Sequence, residues 1–142
     1  MKIKAVIFDL DNTLNPNVAE TLGQIKGRGL KLAVITDGLR LKAWMRLNAA
    51  SLDEHFDVVV TLDDTGKRKP AREPFEKTLA KLAVKPEECL MVGDWPERDM
   101  VGAGEAGMIT CWAKYGSSSH QGAADYVIND IRELLTIIRA IG

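Results

Sequence analysis

The sequence predicts an α/β protein, a parallel sheet with helices on both faces. Three observations predict it. Short apolar runs alternate along the chain with segments whose apolar residues recur at helical spacing. The first run, Ala5-Val6-Ile7-Phe8, is apolar without interruption, as a strand covered on both faces must be. Two carboxylates, Asp9 and Asp11, then stand two positions apart where that strand should end. Open α/β sheets take their ligands outside the carboxyl ends of the strands.

The elements follow in order. Lys2 to Phe8 form strand one. Asn17 to Arg28 read as a helix with Val18, Leu22 and Ile25 on one face, an Asn17/Glu20 capping box, and Gly27 and Gly29 at its end. Leu30 to Ile35 form strand two. Leu39 to Ala50 form helix two, with Leu41, Trp44, Met45 and Leu47 facing inward. Asp57 to Thr61 form strand three, and a polar loop from Asp63 to Lys69 follows. Helix three runs from about Glu73 to Ala83 on a stripe of Phe75, Leu79 and Leu82, with Pro74 in its first turn. Glu88 to Val92 form strand four. Helix four spans about Glu97 to Ala106 and is closed by Gly107; Gly102 and Gly104 weaken it but permit close helix–sheet approach. Met108 to Trp112 form strand five. The loop Lys114 to Ala124, with Gly116-Ser117-Ser118-Ser119-His120, is the segment expected to move most. Tyr126 to Ile128 add a short strand. The last helix carries Ile131, Leu134, Leu135, Ile138 and Ile141, with Asp130 and Glu133 as caps.

Composition narrows the function. The 142 residues suffice for a single domain, 1–142, with one core. Nineteen basic residues against 20 acidic leave no excess charge for nucleic acid or an anionic membrane. No apolar run reaches membrane-spanning length, and the N-terminus lacks a secretory signal pattern, so the expectation is a soluble cytoplasmic protein. Cys89 and Cys111 fall inside strands without CxxC spacing or a nearby His, as buried reduced thiols. His55 and His120 have no identifiable partner.

If extension persists past Phe8, Asp9 and Asp11 project the same way. The blander reading of the pair is a strand followed by an Asx-rich turn. Three later stretches decide. Asp9-Leu10-Asp11-Asn12-Thr13 resembles the Asp-x-Asp-x-Thr signature of the haloacid dehalogenase-like (HAD) phosphatases. Thr36, in Val34-Ile35-Thr36-Asp37-Gly38, resembles their second motif, and Lys69, in Arg68-Lys69-Pro70, their third. Gly93-Asp94-Trp95-Pro96-Glu97-Arg98-Asp99 resembles the fourth. All four stand in family order across nearly the whole chain. The resemblance implies a three-layer Rossmann-like sheet with strand one central and strand order 3-2-1-4-5.

It also implies a chemistry: magnesium-dependent hydrolysis of the phosphate monoester of a small molecule. Asp9 would be the nucleophile, giving an aspartyl-phosphate. Asp11 would protonate the leaving oxygen and then activate water. Asp9, Asp94 and the main-chain carbonyl of Asp11 would bind Mg2+, and Asp99 would support them through water or by holding Lys69. Thr36, the N–H groups that follow it at Asp37, and Lys69 would hold the phosphate. An acid at Asp11 argues for phosphoryl transfer over dehalogenation within the resemblance. Lys67 rivals Lys69, since Lys67-Arg68-Lys69 is a basic run and such runs are usually solvated. Trp95 reads as a wall of the entrance or a packing residue; Trp44 and Trp112 read as core.

Family members commonly carry a cap domain over the site. Only 22 residues separate Thr13 from Thr36 and 32 separate Thr36 from Lys69, and helices and strands fill both spans. No cap fits. Pro16 to Leu22 resemble the point where a capped relative's chain re-enters the core, so the sequence reads as a cap-deleted relative. A formed flap between residues 12 and 18 would contradict that. An open site predicts slow, promiscuous turnover, or a homo-oligomer covering it through an apolar rim at Trp95 or Leu14. Two rivals stand. A cap-less core can survive as a scaffold without turnover. A response-regulator receiver uses similar residues, but its acids are adjacent and its acceptor ends strand three, where this chain has Thr61-Leu62-Asp63-Asp64.

Overall fold

The computed structural model describes residues 2–116 and 122–142, without the side chain of Pro16. Six strands form one parallel sheet: β1 (Ala5–Phe8), β2 (Lys31–Ile35), β3 (Val58–Val60), β4 (Cys89–Gly93), β5 (Ile109–Ala113) and β6 (Tyr126–Ile128). Their order is β3-β2-β1-β4-β5-β6, so the expected order holds and the short strand extends it. In register, Phe8 of β1 lies opposite Val34 of β2 and Val92 of β4. Every residue of β1 is buried. That explains its uninterrupted apolar run, since helices cover both faces.

Alternation along β1 sorts the core into two. Val6 and Phe8 pack with α1 (Ala19–Gly27), α2 (Arg40–Ala49) and α6 (Glu133–Ile141) through Leu22, Ile25, Leu47, Leu134 and Ile138. Ala5 and Ile7 face α4 (Arg72–Leu82) and α5 (Asp99–Glu105) through Phe75, Leu82, Met100 and Ala103. A one-turn helix, α3 (Leu62–Thr65), interrupts the expected polar loop; Thr61 and Asp64 cap it reciprocally. Asp63 accepts the Arg40 N–H at 2.9 Å at the start of α2. Both acids after β3 thus accept backbone N–H groups, Asp63 from Arg40 and Asp64 from Thr61.

Three local expectations are corrected. On α2 the buried residues are Ala43 and Leu47, while Leu41, Trp44 and Met45 are exposed. A 100° step per residue puts 43 and 47 on one face and 41, 44 and 45 on the other. The first helix is preceded by a 3₁₀ turn, Pro16–Val18, capped by Asn15 rather than Asn17. Gly102 admits the Phe75 ring of α4, where a Cβ would lie 2.3 Å from the ring, so the close approach is helix to helix; Gly104 meets nothing. Leu14 and Trp95 are both half-buried, and α2 exposes Leu41, Trp44 and Met45.

Trp112 is buried as expected, and so are both cysteines, whose thiols burial pushes up to about 12. The expected mobility of Ser117 to His120 lies outside the described residues. No described helix is long and apolar enough to cross a membrane.

Candidate active site

The carboxyl ends of β1, β2 and β4 and the start of α5 converge on a cavity of about 190 Å3. Its lining includes Asp9, Asp37, Lys69, Asp94 and Asp99. Asp9 continues β1, donating its N–H to the Val92 carbonyl at 2.9 Å. Its largely buried carboxylate accepts from the Lys69 ammonium at 2.6 Å. Lys69 also contacts Asp99 at 2.7 Å and donates to the Ile35 carbonyl at 3.0 Å. Burial disfavours the Lys69 ammonium, but the charges of Asp9 and Asp99 prevail and hold its pKa above the ordinary value. Lys67 is exposed, so the buried lysine of the basic run is Lys69.

The loop after β4 is tied down at each end. Trp112 donates its indole N–H to the Asp94 carbonyl at 3.3 Å. Asp99 accepts the Trp95 N–H at 3.1 Å. Glycine is required at 93, where a Cβ would lie 2.3 Å from the Asp99 carboxylate, and at 116, where it would lie 2.4 Å from the Asn12 carbonyl. Asn12 turns the chain after Asp11 at a φ of 61°, a left-handed conformation that asparagine tolerates. Tyr115 fastens that turn by donating its hydroxyl to the Thr13 carbonyl at 2.8 Å.

Asp9, Asp94 and Asp99 can each point an oxygen to within 4.8 Å of the others. Burial first, then the hydrogen bond and charge of Asp9, push the Asp94 carboxyl up to about 7. Burial also raises Asp99, against the opposing pull of Lys69. Three carboxylates this close repel unless protons or a cation intervene. The set suits a hard divalent cation. Asp99 ion-pairs with Lys69 through Oδ1 and accepts the Trp95 N–H through Oδ2; Oδ1 has no hydrogen-bond partner among the described residues, so all three carboxylates could hold a metal.

The structure does not bring every expected side chain into this cluster. The Asp11 carboxylate lines the same cavity but pairs with Arg46 of α2, and both side chains are more than half exposed. The chain has already turned at Asp11, so strand alternation no longer aligns it with Asp9. Thr36 is buried; its hydroxyl accepts the Gly38 N–H at 3.1 Å, which leaves its own O–H to donate. Asp37 contributes more than a backbone N–H: its carboxylate accepts the Lys69 N–H at 2.8 Å and pairs with Arg98 at 3.2 Å. Arg98 in turn lies over Trp95, 3.8 Å from the ring centroid. Sequence reasoning missed Arg46, Arg98 and Tyr115. An arginine inside the fourth motif was the one available signal.

The chain from Asp11 to Val18 forms a tight turn and one 3₁₀ turn, with no strand or flap.

A family model described as haloacid dehalogenase-like hydrolase matches residues 13–113. Over 127 residues the chain is 39% identical to a glyceraldehyde 3-phosphate phosphatase of Methanocaldococcus jannaschii, covering 87% of this chain and 56% of that protein. It is 40% identical over 128 residues to the pyrophosphatase PpaX of Bacillus mycoides, covering 87% of this chain and 59% of that protein. A HAD phosphatase structure from Thermococcus onnurineus superposes with a TM-score of 0.81 at 34% identity, over 88% of this chain and 58% of that one. The chain thus spans little more than half the length of the curated relatives it matches. With the matched stretch, the topology and the acidic cluster in agreement, the chain belongs to the haloacid dehalogenase-like hydrolase family.

Proposed function

We propose that residues 1–142 are a single cap-less phosphatase core, which hydrolyses the phosphate monoester of a small molecule with Mg2+ through an aspartyl-phosphate on Asp9. The carrying observation is the Asp9 carboxylate at the end of β1, held by Lys69 at 2.6 Å and close to Asp94 and Asp99. The printed names of the relatives, a phosphatase and a pyrophosphatase, support a small phosphorylated substrate.

Lys69 holds the Asp9 carboxylate at 2.6 Å, orienting it as the nucleophile. An Asp9 oxygen bonds to phosphorus while the bond from phosphorus to the leaving oxygen breaks. For this step Asp11 leaves Arg46, turns into the cavity it lines, takes up a proton from solvent and gives it to that oxygen. As a carboxylate, Asp11 then takes a proton from water; the water oxygen attacks phosphorus, phosphate departs and Asp9 is restored. Thr36 and the N–H groups after it hold the phosphoryl oxygens. Asp9, Asp94 and the Asp11 carbonyl would hold magnesium, which neutralises charge on the phosphoryl oxygens when bound. Asp99 positions Lys69 and the Trp95 backbone. The absent flap supports the reading that a cap has been lost between Leu14 and Val18.

The test is hydrolysis of an activated aryl phosphate with and without magnesium, beside Asp9→Asn. Turnover that needs magnesium and disappears in the variant supports the proposal. Folded protein without turnover supports the scaffold reading instead.

A further inference from the structure

Two cations line the acidic cavity, and they differ in what they have left to offer. An ammonium has three donors. Those of Lys69 face Asp9 at 2.6 Å, Asp99 at 2.7 Å and the Ile35 carbonyl at 3.0 Å. Its side chain is only 2% exposed, on the cavity floor. A guanidinium has five N–H donors in a rigid fork. The Arg98 guanidinium donates to Asp37 at 3.2 Å, and no other described residue takes a hydrogen bond from the guanidinium. Its side chain is 39% exposed.

The fork is also held in place. The Trp95 ring lies against it at 3.8 Å. Asp37 is itself fixed by the Lys69 N–H at 2.8 Å. A pre-positioned guanidinium with open donors binds a carboxylate or phosphate well, because little side-chain freedom is lost on contact. The cavity of about 190 Å3 is small, so whatever occupies it near Asp9 also lies near Arg98.

We propose that Arg98 is a specificity residue that receives a second anionic group, phosphoryl or carboxyl, borne by the substrate beside the phosphoryl group attacked by Asp9. The inference rests on the phosphatase reading. It names the substrate class: small phosphorylated molecules carrying a second negative group a few atoms away. Arg98 confined to balancing Asp37 would give no such discrimination.

Three non-hydrolysable probes separate these cases: methylphosphonate, phosphonoacetate and methylenediphosphonate. Binding of each is measured by calorimetry at saturating magnesium, to the wild type, Arg98→Gln and Arg98→Lys. The expected result is that the wild type binds one or both dianionic probes at least about tenfold tighter than methylphosphonate, as one charge-assisted contact provides. Arg98→Gln loses that preference and keeps its methylphosphonate affinity. Arg98→Lys keeps the charge without the fork and retains part of the preference, which covers the case that Arg98→Gln does not fold. The stronger of the two dianionic probes tells carboxyl from phosphoryl. The proposal is overturned if the wild type binds all three alike or binds none, or if both variants weaken all three equally. None of these readings requires turnover. An intact preference in a protein that hydrolyses no aryl phosphate would therefore sink the phosphatase reading and leave the anion site standing.

Discussion

The two sides of the β1 end are built to different standards. On the floor, Asp9, Lys69, Asp94 and Asp99 are buried, and Lys69 meets two carboxylates and a carbonyl. On the flank, Asp11 and Arg46 form an ion pair with side chains 53% and 59% exposed. Beyond them α2 presents Leu41, Trp44 and Met45 to solvent. The difference separates the two proposed catalytic carboxylates. Asp9, the proposed nucleophile, is fixed by partners that cannot move without leaving buried charge behind. Asp11, the proposed acid–base group, is held by a surface contact of small worth.

Four substitutions test that contrast, in falling order of effect. Lys69→Met strands Asp9 and Asp99 as buried acids without a cation. It should cost about 3–5 kcal/mol in urea unfolding, the scale for breaking a buried pair. Leu47→Ala empties a fully buried position on the inner face of α2. Denaturant midpoints should fall by the equivalent of about 2–5 kcal/mol. Arg46→Ala removes the surface partner of Asp11 and should change stability by less than about 1 kcal/mol. Met45→Lys, on the exposed face of the same helix, should stay within about 0.5 kcal/mol by thermal melting. A large loss in either of the last two would show that the flank is as firmly built as the floor.

How much of this was legible follows from the kind of signal each residue carried. The sheet was legible because burial on both faces demands continuous apolar runs, and the run at Ala5–Phe8 can be little else. Asp9, Lys69, Asp94 and Asp99 were legible because they sit at fixed places in short motifs, and the fold brings these four side chains together. The α2 face was misread because Leu41, Trp44 and Met45 are more apolar than Ala43. Periodicity finds a stripe, but it cannot tell which stripe the sheet receives. Asp11 was placed beside Asp9 on the assumption of extended backbone, and the turn at Asn12 overrides it. Arg46 and Arg98 meet their partners across 35 and 61 positions of sequence, and no local pattern reports such pairs.

The most direct test of the central claim is to find where the phosphoryl group rests during turnover. The protein is mixed with an activated aryl phosphate and magnesium, quenched in acid within one turnover, digested and read by mass spectrometry. The expected result is a phosphoryl adduct on Asp9, absent from Asp9→Asn. An adduct on Asp11 or another residue, or steady turnover with no adduct on Asp9, would contradict it.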